Sequence, residues 1–298
     1  MTERPAYADL PGGDASGLFG AGDALGALNL QTPSAIAHAA TLVREGAVFS
    51  LNAPVDWVDP PLFSRKQVEH HVFTTPRGNL DDWLDGYYLQ ASSQWDGFLH
   101  ARRPDGGFHN RLPAADHGVH VWAARGIAGR AVLLDIGAFL ADQGRPLDWR
   151  TRAEITAADL EACRAACGVE QRPGDILLIR TGWATEYERA LASERAAVRE
   201  DTTGPGLAAD EALLAYLWDW GISALACDNI AVEALPLGEA ALHPRLIGLL
   251  GVPLGELWWL DELAAHCARD GRYECLLTSA PINLRGGVGS PANAIALK

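Results

Sequence analysis

Apolar positions recur along the chain in two periods, and the period switches at regular intervals. Thr32 can cap a first helix that Pro33 opens, residues 35–43 give it an apolar face and Gly46 ends it before the strand-like Ala47-Val48-Phe49-Ser50-Leu51. Residues 54–85 hold several prolines, His70-His71 and Asp81-Asp82, and read as loop with short strands. Further on, residues 132–136 predict a strand, 156–166 a helix capped by Thr156 and closed at Gly168, and 175–180 a second strand. Helix 208–220, strand 222–227, helix 243–250, a short strand at 257–259, helix 261–269 and strand 273–278 complete the series. Strands that alternate with helices predict a layered α/β fold. Residues 1–32, rich in Gly, Ala and Asp and without periodicity, read as an irregular arm that covers one domain of residues 33–298.

Composition narrows the partners. The 298 residues carry 24 Lys and Arg against 38 Asp and Glu, a net charge of −14, with no basic run. Such a chain repels phosphate backbones and anionic lipid, which predicts neither nucleic acid nor membrane as partner. No apolar run follows Met1-Thr2-Glu3-Arg4-Pro5, so a soluble cytoplasmic protein is expected. The five cysteines, an odd number in apolar surroundings, suit a reducing compartment. Cys163 and Cys167, four apart on a helix, can share a face, but with no His or further Cys nearby they read as small buried residues rather than zinc ligands. Ten tryptophans are present, most of them core by expectation; Trp57, Trp95, Trp122 and Trp183 lie by polar, turn-rich segments where a pocket wall is also plausible.

Familiar catalytic motifs are absent. Gly126-Ile127-Ala128-Gly129 precedes a strand and Gly286-Gly287-Val288-Gly289 opens no helix, so no dinucleotide fingerprint is present. There is no Gly-x-Ser-x-Gly elbow, phosphate loop or His-Glu-x-x-His pair. What remains is Tyr88-Leu89-Gln90-Ala91-Ser92-Ser93-Gln94-Trp95-Asp96-Gly97-Phe98-Leu99-His100. If 88–96 is a strand, Gln90, Ser92, Gln94 and Asp96 share one face while Leu89 and Trp95 pack on the other, and Gly97 lets His100 turn back toward them. A solvated edge strand is the plainer alternative. His117 and His120, three apart, can share a helical face, either as packed core histidines or as a base near substrate. Asp228, just after a strand end, reads equally as a ligand-binding group and as a helix cap. His70 and His71 read as surface residues, and His109 as part of a loop.

The run Gln90-x-Ser92-Ser93-Gln94-x-Asp96-x-x-x-His100 resembles the His-x-Gly-Thr-His-x-Asp-x-Pro-x-His metal motif of the cyclase family that includes bacterial kynurenine formamidase and isatin hydrolase. Phe19–Asn29, 126–135, 174–183 and the 242–244 and 255–257 segments resemble further blocks of that family in the same order. The resemblance implies a layered kynurenine formamidase-like (swivelling β/β/α) fold and a hydrolase. In such an enzyme a metal-activated water opens a non-peptide amide, lactam, formamide or lactone bond in a small cyclic or aromatic substrate. It further implies metal ligands at Gln94, Asp96, His100, His243 and Glu256, catalysis by Asp96, His100 and His243, and a homodimer or larger homo-oligomer. Substrate contacts are expected from Trp57, Gln90, Gln94, Trp95, Trp183, His117, His120 and Asp228.

The chain departs from the motif at both histidine positions, where Gln90 and Gln94 stand. An amide oxygen is a weak neutral ligand, so manganese or magnesium is favoured over zinc, or no ion at all. Metal-free acid and base catalysis by Asp96 and His100, in a cyclisation or dehydration, and a catalytically silent small-molecule binder are the two alternatives.

Overall fold

The computed structural model describes residues 4–298. In chain order it contains α1 (Pro33–Ala40), β1 (Val48–Ser50), β2 (Glu69–Thr74), β3 (Leu80–Asp85), β4 (Gln94–Asp96), α2 (Val119–Arg125), β5 (Ile127–Leu134) and α3 (Ile136–Asp142). Then come β6 (Glu154–Ile155), α4 (Ala157–Ala166), β7 (Ile176–Ile179), α5 (Trp183–Arg189), α6 (Ala192–Glu200), β8 (Gly206–Leu207) and α7 (Glu211–Trp220). The last third holds β9 (Ala224–Cys227), β10 (Leu254–Glu256), α8 (Asp261–Asp270), β11 (Glu274–Ser279), β12 (Gly289–Pro291) and β13 (Ala294–Leu297).

Nine strands form one sheet in the order β1-β13-β11-β5-β7-β9-β10-β4-β12. Its centre, β5-β7-β9-β10, is parallel, and antiparallel strands extend it on both sides. Strands β7 and β9 are buried throughout, which is why Ile176–Ile179 and Ala224–Cys227 read as unbroken apolar runs instead of alternating ones. The predicted caps are in place: Thr32 accepts from the Ala35 amide, and Thr156 forms a reciprocal box with Asp159. Asp210 caps α7 by accepting from the Leu213 amide.

Three local expectations need correction. The strand expected at 257–259 lies at Leu254–Glu256, because Trp258 turns back to donate its indole N–H to the Gln94 carbonyl at 2.9 Å. Residues Pro244–Leu249 form a wide π-type turn rather than an α-helix. His117 lies ahead of α2, separated from it by Gly118 at φ 142°, so it shares no helical face with His120.

Residues 4–32 pack on their own domain. Leu10, Ala27 and Leu28 are buried in the main core, Tyr7 donates its hydroxyl to Glu211 at 2.7 Å, and Trp218 donates to the Pro5 carbonyl. By contrast, β2 and β3 form a hairpin that projects from the domain with nearly every residue exposed. Among the described residues, no helix is long and apolar enough to cross a membrane.

Candidate active site

Strand β4 is only three residues long, so the expected strand over 88–96 does not form. Ser92 donates its hydroxyl to the Pro54 carbonyl at 2.7 Å, and Ser93 donates to the Leu257 carbonyl at 2.5 Å while accepting from the Ala53 amide. Both serines therefore brace loops, and residues 88–93 run as turns. The two-residue period holds where the strand is real. Gln94 and Asp96 share a face, and Trp95 on the other is fully buried, edge-on to Trp258 at 4.8 Å with its N–H donated to Ser279. Trp95 is thus core, not a pocket wall.

Neighbouring strands finish the arrangement. Register places Glu256 of β10 opposite Gln94, and the Gln94 amide nitrogen donates to Glu256 Oε2 at 2.5 Å. Gly289 of β12 stands opposite Asp96, and the space a Cβ would take there is filled by the Gln90 amide. Gln90 reaches the Asp96 face in this way, from a turn rather than from a strand. After β4 the chain passes Gly97, where a Cβ would meet the Val288 carbonyl at 2.6 Å, and the His100 amide bonds back to the Gly97 carbonyl. That turn returns His100 to Asp96.

Asp96 is wholly buried, with His100 Nδ1 3.6 Å from one oxygen and His243 Nε2 3.8 Å from the other. Both separations exceed hydrogen-bond length, and neither carboxylate oxygen has a hydrogen-bond partner. Gln94 Oε1 is likewise buried and unpartnered. His243 sits between two carboxylates: its Nδ1 is 2.8 Å from Glu233 and its Nε2 is 3.1 Å from Glu256. Burial alone would lower the His243 pKa, but Asp96, Glu233 and Glu256 together hold it well above the ordinary value. Burial, reinforced by the Asp96 charge, pushes Glu256 up to about 7. His100, about a third exposed at the mouth of the cleft, is lowered mainly by burial, against the pull of Asp96.

This donor set fits a divalent cation. Asp96, His100 and His243 each present one ligand atom, all within 4.8 Å of one another, and a divalent ion there would take the place of the proton that the surrounding carboxylates otherwise hold on His243 while meeting the two Asp96 oxygens that lack hydrogen bonds. Glu233 fixes His243 from behind, the second-layer carboxylate that orients a metal-binding imidazole. Among the described residues one further such group exists, Glu45, His266 and Asp270, but Lys298 and Arg272 lie against its acids and make it an ion-pair network.

The cleft above Asp96 encloses about 570 Å³ between polar His100, His243, Glu233 and Glu256 and apolar Ile230, Leu235 and Leu237. Glu233, Phe63 and Arg65, which also line it, escaped the sequence reading. A carboxylate inside the apolar run Ala231-Val232-Glu233-Ala234-Leu235 was the one available signal for Glu233. Nothing marked Phe63 or Arg65.

The remaining candidates lie elsewhere. Trp57 and Trp183 do not line the cleft but belong to an aromatic cluster that packs against Ile230 and Leu235 of its wall, where Trp183 stacks on Tyr187 at 4.8 Å and Trp57 meets both edge-on. His117 is buried with Nε2 2.9 Å from the His109 carbonyl, and His120 accepts from the Gly286 amide. Asp228 accepts from the Thr181 amide and hydroxyl and the Gly182 amide, so it braces the turn that opens α5. His109 is a core residue, not part of an open loop. All five cysteines are free.

Comparison with known proteins agrees with this architecture. A family model described as "Putative cyclase" matches residues 49–234, a span that includes Asp96 and His100 and stops before His243 and Glu256. A crystal structure of a novel cyclase is 32% identical, with a TM-score of 0.82 over 96% of this chain and 99% of that one. An isatin hydrolase bound to the product analogue thioisatinate is 19% identical, with a TM-score of 0.61 over 85% of this chain and 93% of that one. A potential metal-dependent hydrolase with cyclase activity is 17% identical, with a TM-score of 0.51 over 84% and 98%. No curated protein matches the chain in sequence.

Proposed function

The chain belongs to the cyclase family, and from that premise we propose that it is a hydrolase opening a non-peptide amide, lactam, formamide or lactone bond in a small cyclic or aromatic substrate. The observation that carries this reading is Asp96, a wholly buried carboxylate with two unpartnered oxygens faced by two imidazoles. Asp96, His100 and His243 would hold one divalent ion, with Gln94 Oε1 as a neutral oxygen donor. Manganese or magnesium is favoured because Gln94 offers a neutral oxygen where the family motif has an imidazole nitrogen. Such an ion supplies Lewis acidity toward a carbonyl and makes water a stronger acid.

The chain's own groups do the rest. Glu256, placed by Gln94 and His243 and titrating near neutrality, takes a proton from the attacking water and returns it to the leaving nitrogen or oxygen. Glu233 keeps His243 oriented. Apolar side chains on the far wall exclude water from the substrate's ring.

The test is turnover of aryl formamides, cyclic amides and lactones by wild type and Asp96→Asn, with added manganese, with zinc and with chelator. Turnover in at least one class that chelator abolishes, manganese restores and Asp96→Asn loses is the expected result. Full turnover in chelator replaces the metal mechanism with acid and base catalysis by Asp96 and His100. No turnover in any class favours the silent binder.

A further inference from the structure

Three arginines of the domain interior, Arg103, Arg130 and Arg180, are each held by two carboxylates: Asp14 and Asp105, Asp175 and Glu274, Asp135 and Asp261. Arg65 differs. It is half-buried in the cleft wall, yet among the described residues no carboxylate lies within ion-pair distance of it. Its guanidinium donates to the Gln90 carbonyl and lies 5.2 Å from the Phe63 ring centre. One hydrogen bond leaves most of its five N–H donors free, and a planar guanidinium matches a carboxylate in bidentate fashion.

The backbone that presents it is strained. Phe63 and Ser64, neither of them glycine, have φ of 56° and 58°, a left-handed pair immediately before Arg65. Such conformations persist where the surroundings impose them and cluster at ligand sites. Here they turn a half-exposed Phe63 ring and the Arg65 side chain into the same cavity, across from Leu235 and Leu237. Arg102 lines that cavity too, with Phe108 rather than an acid as its neighbour. The mouth therefore pairs positive charge with apolar surface, and the deeper carboxylates Asp96 and Glu256 act on Arg65 through space without forming an ion pair with it, so its remaining donors stay free.

We propose that Arg65 is a specificity-determining residue whose guanidinium binds a carboxylate carried by the substrate, while Phe63 and Leu237 cover its ring, so that anionic aromatic amides or esters are preferred over neutral ones. Its role toward substrate rests on the hydrolase reading, whereas the carboxylate site itself does not.

Two measurements separate them. Calorimetric binding of benzoate and of benzamide is compared in wild type, Arg65→Gln and Arg65→Lys, on protein as purified and after chelator treatment so that no ion competes for the carboxylate. Wild type is expected to prefer benzoate by roughly tenfold or more, a preference that Arg65→Gln removes and Arg65→Lys keeps in part. Benzamide binding, unchanged in Arg65→Gln, serves as the control for folding. Kinetics on 2-formamidobenzoate and formanilide should show KM raised in Arg65→Gln for the first alone. Equal affinity of wild type for benzoate and benzamide, an equal loss for both in Arg65→Gln, or a fall in kcat on both formamides at unchanged KM would overturn the carboxylate anchor. Arg65-dependent benzoate binding without turnover of any aryl formamide, cyclic amide or lactone would leave the anchor standing and remove the hydrolase reading.

Discussion

Gln94 and Glu256 are registered opposite each other on antiparallel strands, and the amide nitrogen of one lies 2.5 Å from the carboxylate of the other. This contact decides which end of Gln94 is free: the nitrogen is spent on Glu256, and the oxygen is left unpartnered. Substituting Gln94→His replaces that oxygen with an imidazole nitrogen, the donor that zinc prefers. Zinc affinity is expected to rise by about tenfold or more relative to manganese, on the scale of changes around metal ligands. Competition against a chromophoric chelator measures it, and an unchanged zinc-to-manganese ratio would place Gln94 outside the ion's reach.

An ion held by Asp96, as proposed, would couple binding to stability. Manganese at about a hundredfold excess over its dissociation constant should add about 2.7 kcal/mol to wild-type stability and nothing to Asp96→Asn. Urea unfolding of chelator-treated protein, with and without the ion, reads this independently of any substrate. An equal gain in both proteins would mean that the ion binds elsewhere.

His109, packed against Phe98 with Nδ1 3.3 Å from the Gly248 carbonyl, is pushed down to about 4 by burial. Its folded pKa is thus depressed below the ordinary 6.5, so the unfolded chain takes the proton first as pH falls. The stability tied to neutral His109 is complete above pH 6.5 and drains away between there and about pH 4. Between pH 7.5 and 5 the contribution is about 2 kcal/mol. Urea unfolding at those two pH values should show a steeper loss in wild type than in His109→Gln, and parallel losses would dismiss the assignment.

The hairpin of β2 and β3 bears on assembly. Val72, Phe73, Leu80 and Trp83 are all exposed, with Trp83 stacked on His71 at 4.8 Å, and a two-stranded ribbon without a core is marginal alone. The N-terminal arm packs on its own domain and offers no surface for a neighbour, whereas this ribbon does. A second copy, with the two ribbons exchanged about a two-fold axis, is the expected cover. Light scattering should give a dimer for the full chain and a monomer once 69–85 is replaced by a short Gly-Ser link. A monomer in both cases rejects the arrangement.

The scaffold was legible where one local signal sufficed. Thr32 and Thr156 each cap a helix from their own sequence neighbourhood, and the apolar runs at 176–179 and 224–227 have no use except as strands buried on both faces. Legibility ended where side chains are satisfied from afar. Ser92 and Ser93 look like strand residues until Pro54 and Leu257 offer their carbonyls. Glu233 and Arg65 come to the cleft from loops far from Asp96 in sequence, and no period or spacing ties them to it. Trp57 and Trp183 sit among polar residues in the sequence but find each other in space.

The placement of β4 between β10 and β12 sets the order in which the site can come into being. During synthesis Gln94 and Asp96 emerge more than 150 residues before Glu256 and nearly 200 before Gly289, the positions registered opposite them. Until those strands leave the ribosome, β4 has neither ladder partner and Asp96 remains in water, one hydrated carboxylate among many. Ion capture at the proposed site would therefore follow translation through residue 291, and a nascent chain arrested between β10 and β12 carries the parallel centre of the sheet without a completed site.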